Sequence, residues 1–243
     1  MSAVFRSYAA RAAPHALPER MDSETDEGVF GATVESLAGV NRLTLGYRPL
    51  LRFLEEAVTL RMAPAPVRLL DVGSGYGDGV RAAASFFEAC GVAAEITGVD
   101  RNPHAAAAAR AVTGDYEGVQ IDYVTEDAFA HTEHAGPYDL VVSALFCHHL
   151  EDEAVVRFLR WQDETAVLGW LVNDLYRSRV AAAGFGVLAR LLRRHPHVIH
   201  DGPVSFARSF RRADWAQLLG EAGVTGAEIG MLAPFRLCVR KHA

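Results

Sequence analysis

The apolar run Val67-Arg68-Leu69-Leu70 leads straight into Asp71-Val72-Gly73-Ser74-Gly75-Tyr76-Gly77, and nothing else in the chain constrains its fold as strongly. An apolar segment this short, ended by an acid and then by glycine at every second position, reads as a buried strand turning sharply into a helix. Without a Cβ, the glycines admit positive φ and let a ligand's polar groups approach the backbone. A helix starting near Asp78 aims its free N–H groups at the same place. The dinucleotide fingerprint G-x-G-x-x-G does not fit, because aligning it on Gly73 and Gly75 requires glycine where Asp78 stands.

Further strands follow in order. Ile96-Thr97-Gly98-Val99 ends in Asp100, an acid placed to accept both hydroxyls of a ribose. Residues 119–125 give way to Glu126-Asp127-Ala128-Phe129, and Tyr138-Asp139-Leu140-Val141-Val142-Ser143 forms a fourth strand. A fifth, residues 166–172, delivers Asn173 and Asp174 to the same rim. Helices are expected at 79–90, at 103–112 with Asn102 as N-cap, and at 152–162. This alternation calls for an α/β fold with a doubly wound, mostly parallel sheet, covered on both faces, binding its ligand beyond the strands' carboxyl ends.

Upstream, helical patterning begins at Val34 and strengthens after Pro49, with Leu50, Phe53, Leu54, Ala57 and Val58 on one stripe until Pro64 and Pro66 end it. The acidic run 22–27 is expected to be a solvated loop. Residues 67–243 form the main domain, interrupted at 175–209 by a lid-like insertion. Within that insertion residues 178–194 read as a helix, and His195-Pro196-His197-Val198-Ile199-His200-Asp201-Gly202-Pro203 reads as a surface loop. A last helix from Phe210 to a glycine stop at Gly223 and two strands, residues 227–232 and 236–240, complete the expectation.

The spacing acid-x-G-x-G-x-G, with the three segments that follow it, resembles the class I S-adenosylmethionine-dependent methyltransferases of small-molecule type. The likeness spans about residues 67–150. It implies a Rossmann-like seven-stranded sheet that uses S-adenosylmethionine as donor and releases S-adenosylhomocysteine. Enzymes of this class commonly place helices over the cofactor and substrate, so the likeness also implies that residues 1–66 form an N-terminal helical cap. Carried over residue by residue, the implied cofactor contacts are Asp71, Gly73, Ser74, Gly75 and Gly77 in the loop, Asp100 and Arg101 after the second strand, Asp127 and Ala128 at the adenine edge, and Ser143 on the fourth strand.

Where the family's nucleobase and protein-glutamine enzymes carry an acid or asparagine, two prolines and an aromatic, this chain has Ser143-Ala144-Leu145-Phe146, which argues against those substrates. Cys147-His148-His149-Leu150-Glu151-Asp152-Glu153 resembles the H-D-W-x-D-E region of phenolic O-methyltransferases. That likeness implies His148 as general base, a task suited to an imidazole at neutral pH, with His149 beside it. The chain departs from the pattern at His149 and Leu150, where the family has aspartate and tryptophan. From Leu171 onward it is also similar to bacterial methyltransferases of polyketide and quinone-like pathways. The expected acceptor is a hydroxyl of a phenolic or polyketide-like small molecule with apolar or aromatic bulk; a C-methyltransferase acting on a quinone-like precursor is the alternative. Readings from other classes are a nicotinamide-dependent oxidoreductase and a non-catalytic cofactor-binding protein. Asp174 and Tyr176 are further candidates for substrate contact.

The formal net charge of −6 speaks against a nucleic-acid partner, which requires a basic face. Cys90, Cys147 and Cys238 are far apart and form no C-x-x-C pair, as expected of a protein of the reducing cytoplasm with neither disulfide frame nor zinc knuckle. His195, His197 and His200 lack a carboxylate or cysteine pattern, so no metal is expected. No segment is long and apolar enough to span a bilayer, and the oligomeric state stays open.

Overall fold

The computed structural model describes residues 8–23, 26–60 and 66–242. Pro64, expected to end the second helix, and Glu24 and Thr25 of the acidic run lie outside the described residues. Among the described residues seven strands form one sheet: β1 (Val67–Val72), β2 (Ala94–Asp100), β3 (Val119–Thr125), β4 (Tyr138–Ala144), β5 (Ala166–Leu175), β6 (Glu228–Ala233) and β7 (Arg236–His242). Their order is β3-β2-β1-β4-β5-β7-β6. Pairings among β1–β5 are parallel, whereas β7 runs antiparallel to both β5 and β6. The order reverses between β1 and β4, so a crevice opens beyond the carboxyl ends of these two strands, where Asp71 leads into the glycines.

Two apolar layers cover the sheet. On one face α6 (Asp152–Thr165) and α9 (Arg212–Ala222) bury Phe158, Leu159, Trp215 and Leu218 against Val141, Trp170 and Val239. On the other, α2 (Arg48–Leu60) and α3 (Asp78–Cys90) bury Phe53, Leu54, Val80 and Phe87 against Leu69, Ile96 and Leu140. The stripe predicted after Pro49 thus lies within the core of the sheet. Both α3 and α9 stop at a left-handed glycine, Gly91 and Gly223.

Several sequence expectations need correction. The helical pattern placed from Val34 begins at α1 (Glu27–Leu43), with Asp26 as N-cap accepting from Val29 N–H. Glu27 is thus helical, and Asp22 is ion-paired rather than part of a solvated loop. Asn102 does not cap the helix expected at Pro103: α4 is the shorter Ala105–Arg110, and Asn102 Oδ1 accepts from His104 N–H one turn earlier. α5 (Ala128–Ala135) escaped the reading because it buries only Ala128 and His131, too narrow a stripe to show a period. β5 runs three residues past its expected end, so Asn173 and Asp174 are buried strand residues.

The insertion after β5 consists mainly of two helices, α7 (Arg179–Leu191) and α8 (Pro196–Arg208), packed together. The stretch read as a surface loop is α8. Pro196 occupies its first turn, where no N–H is needed, and Pro203 gives up one backbone bond within it. Burial of Val198, Val204, Phe206 and Ala207 offsets that loss.

Candidate active site

The glycines after β1 serve different ends. Gly73, Gly75 and Gly77 all have positive φ, at 70°, 50° and 69°. A Cβ on Gly73 would meet the Phe146 ring at 2.6 Å, and one on Gly77 would strike Tyr123, so these two are glycines for packing. Gly75 faces open space, so its backbone is open to close approach.

Three carboxylates gather around this loop. Asp71 is buried at the end of β1, and its Oδ2 lies 3.0 Å from where a Cβ on Gly79 would sit. Burial, reinforced by the negative charges of Asp78 and Asp100, pushes its carboxyl up to about 8. Asp78 Oδ2 accepts from Tyr47 Oη at 2.7 Å and Asn41 Nδ2 at 3.1 Å, which ties α1 and the turn after it to the start of α3. Asp100 accepts from Gly75 N–H at 2.9 Å and Asn102 N–H at 2.8 Å. Each of its oxygens keeps a second lone pair for a hydroxyl. This donor set suits a ligand that brings a cation to Asp71 and a ribose to Asp100.

Proton linkage at Asp71 carries a sign. Its folded pKa exceeds the ordinary Asp value of 3.8, so its contribution to ligand-free stability is complete below that value and is lost as pH rises through about 8. A cationic ligand favours the ionised form, so ligand affinity should change in the opposite sense. S-Adenosylhomocysteine, whose amino-acid end carries an ammonium group, should bind about tenfold more tightly per pH unit up to about pH 8, with proton release. Calorimetry in buffers of differing ionisation enthalpy checks this; a flat affinity from pH 6 to 8 would show that Asp71 is not the cation's partner.

The other expected cofactor residues are placed less uniformly. Ser74 lines the same cavity as Asp71, Gly73 and Gly75. Glu126 N–H donates to the Asp100 carbonyl, setting the next loop beside the glycine loop. There Asp127 is the N-cap of α5, accepting from Phe129 and Ala130 N–H, and stands 3.9 Å from Arg101 Nε on an exposed edge. Ala128 is buried in the first turn of α5. Ser143 is buried within β4, paired with Val72.

His148 sits in a short 3-10 turn, Cys147–His149, beyond β4. It lines the cavity wall and is 2% exposed. Its Nδ1 is 2.7 Å from Asp174 Oδ1, and its backbone N–H donates to Asp174 Oδ2 at 3.0 Å. Burial would raise the Asp174 carboxyl, but His148 and the N–H groups of Leu175 and His148 together hold it below its ordinary value. An ionised Asp174 fixes the ring proton on Nδ1, which leaves Nε2 as the acceptor. Asp174, read as a substrate contact, is instead the partner that orients His148. Tyr176 bridges to Phe210 at the end of β5.

Sequence reasoning missed the groups behind the histidines. Glu19 Oε1 lies 3.6 Å from His148 Nε2, and Asp22 Oδ1 is 2.8 Å from His149 Nδ1. Glu19, His148 and His149 bring ligand atoms within 4.8 Å of one another, in a two-histidine, one-carboxylate set. The cation beside Glu19 in this structure is a guanidinium. Arg208 Nη1 lies 3.5 Å from Glu19 and 2.9 Å from Asp22, while its Nε donates to the His148 carbonyl. Burial pushes the Glu19 carboxyl up, against the pull of His149 and Arg208. Glu19 and Asp22 lie so far upstream of Arg208 that no local pattern pairs them with it. His195 and His200 are engaged separately, His195 with Thr33 and His200 with Asp201.

The cavity joining the glycine loop to His148 has a volume of about 600 Å³, in the range of small-molecule sites. Val34 and Leu37 of α1, Phe185 and Leu188 of α7, and Phe206 of α8 give it apolar walls.

Residues 69–162, the stretch from β1 through most of α6, match the family model described as a methyltransferase domain. Together with the strand order and the loop, this match over less than half of the chain supports an S-adenosylmethionine-dependent methyltransferase. No curated protein matches the chain. Similar solved structures include the plantazolicin methyltransferase BpumL in complex with a pentazolic desmethylPZN analog and SAH, at 14% identity and a TM-score of 0.62, covering 86% of this chain and 90% of that one. A putative O-methyltransferase from Nostoc punctiforme PCC 73102 is 17% identical with a TM-score of 0.55, over 85% of this chain and 59% of its own. Magnesium protoporphyrin IX methyltransferase (ChlM) from Synechocystis PCC 6803 with bound SAM is 14% identical with a TM-score of 0.52, over 91% and 86%. At such identities the likeness is one of fold, and the methyltransferase shares its Rossmann-like sheet with all three. Among the described residues no helix is long and apolar enough to cross a membrane.

Proposed function

We propose that this methyltransferase alkylates a hydroxyl of a phenolic or polyketide-like small molecule with apolar bulk, using His148 as general base. The observation that carries the reading is the Asp174–His148 pair on the wall of a largely apolar cavity that reaches the glycine loop. Asp71, Gly75 and Asp100 would hold the donor, which supplies an electrophilic methyl group when bound. The remaining work falls to the chain. It must seat the acceptor oxygen in line, exclude water and accept one proton, and alignment alone can supply about 7 to 11 kcal/mol of the barrier. Asp174 keeps the proton on Nδ1 and stabilises the imidazolium that forms once Nε2 has taken the acceptor's proton. Glu19 Oε1 lies 3.6 Å from that Nε2. Residues 1–66 act as a cap in this reading: α2 seats in the sheet's core, α1 closes one wall, and the 175–209 insertion closes the other. The widely separated, free cysteines support a reducing cytoplasm.

The test is methyl-labelled donor incubated with a panel of alkyl-substituted phenols and resorcinols, the products being assigned by NMR. Label on oxygen is expected. Label on ring carbon only would replace this reading with C-methylation of a quinone-like precursor.

A further inference from the structure

The outward face of α7 is apolar where it meets solvent. Val180, Val187, Leu188 and Leu191 recur at i, i+7, i+8 and i+11 and are 77%, 58%, 40% and 75% exposed. They line a shallow groove whose members Val180, Gly184 and Leu188 also line the large cavity, so one helix is shared by the groove outside and the site inside. Leu43, Leu45 and Phe235, at the cavity's rim, are exposed as well. An apolar face continuous with a binding site is a mark of an interaction surface.

Charge narrows the partner. Between Asp174 and Asp201 the sequence has no Asp or Glu but has arginine at 177, 179, 190, 193 and 194, in a chain whose net charge is −6. Arg179, Arg190 and Arg193 are exposed and sit at the two ends of the apolar stripe. A helix with an apolar face edged by arginines, and no acid, fits the headgroup boundary of an anionic bilayer, where the side chains enter the acyl region and the guanidinium groups meet phosphates. A second copy of the chain fits poorly, because pairing α7 with itself in either direction opposes arginine with arginine.

We propose that α7 docks on an anionic lipid surface and opens the cavity toward the bilayer, a route suited to an acceptor that partitions into lipid. The docking stands apart from the acceptor's identity, since vesicle binding is read with neither donor nor acceptor present.

Co-sedimentation of the full chain with vesicles of phosphatidylglycerol and phosphatidylcholine, against phosphatidylcholine alone, tests it. The wild type should pellet with the anionic vesicles, less so as salt rises. The double variant Val187→Ser, Leu191→Ser changes two exposed residues of the outer groove and should lower partitioning by about tenfold or more. Arg193→Glu should weaken binding to anionic vesicles selectively, and circular dichroism confirms that both variants fold. Failure of the wild type to bind anionic vesicles, or equal binding by the double variant, overturns the proposal. So does a wild-type dimer in analytical sedimentation that the double variant converts to monomer, which would make the face a self-association surface.

Discussion

His148→Ala is expected to lower kcat on a hydroxyl acceptor by about 10² to 10⁴ while leaving donor affinity nearly unchanged. The split follows from the geometry. His148 belongs to the wall between the cavity and Asp174, whereas the groups proposed to hold the donor, Asp71, Gly75 and Asp100, are anchored by different elements. Asp174→Asn should leave the ring in place but allow the wrong tautomer, so it should reduce kcat as well. Steady-state kinetics with calorimetric donor binding decide the matter. Wild-type turnover in His148→Ala would reduce the residue to a packing role and leave catalysis to alignment.

Arg208→Ala should destabilise the fold by about 3 to 5 kcal/mol. Arg208 is 1% exposed and serves three partners: the carboxylates of Glu19 and Asp22 and the carbonyl of His148. Its loss leaves Glu19 buried with Ser205 as its hydrogen-bond donor and the histidines as its neighbours. Arg208→Lys keeps the charge but not the fork, and should recover part of the loss. Urea denaturation of the three forms measures this. A change below about 1 kcal/mol in Arg208→Ala would mean that the pairing barely offsets the cost of burying it.

The parts of the fold that were legible in the sequence are those built from local patterns. β1 and β4 are buried along nearly their whole length, so each appears as a mostly apolar run. The loop between β1 and α3 announces itself because glycine is required there by packing at Gly73 and Gly77 and by open approach at Gly75. What stayed hidden depends on contacts distant in sequence. Glu19 and Asp22 fell in the least patterned stretch, and only folding brings them to His148 and His149, some 130 residues on. Asp174 was seen at the rim, but its role as the partner of His148 depends on β5 running through it to Leu175. α8 was obscured by prolines whose positions a helix tolerates, and α5 by burial too slight to leave a period.

Calorimetric titration with S-adenosylhomocysteine, on the wild type and on Asp100→Ala, tests the central claim most directly. The account predicts heat and a single site in the wild type, competition by S-adenosylmethionine, and an affinity lower by about 10- to 100-fold in the variant as charge-assisted bonds to the ribose are lost. A wild type that shows no heat with either ligand yet binds NADH would contradict it.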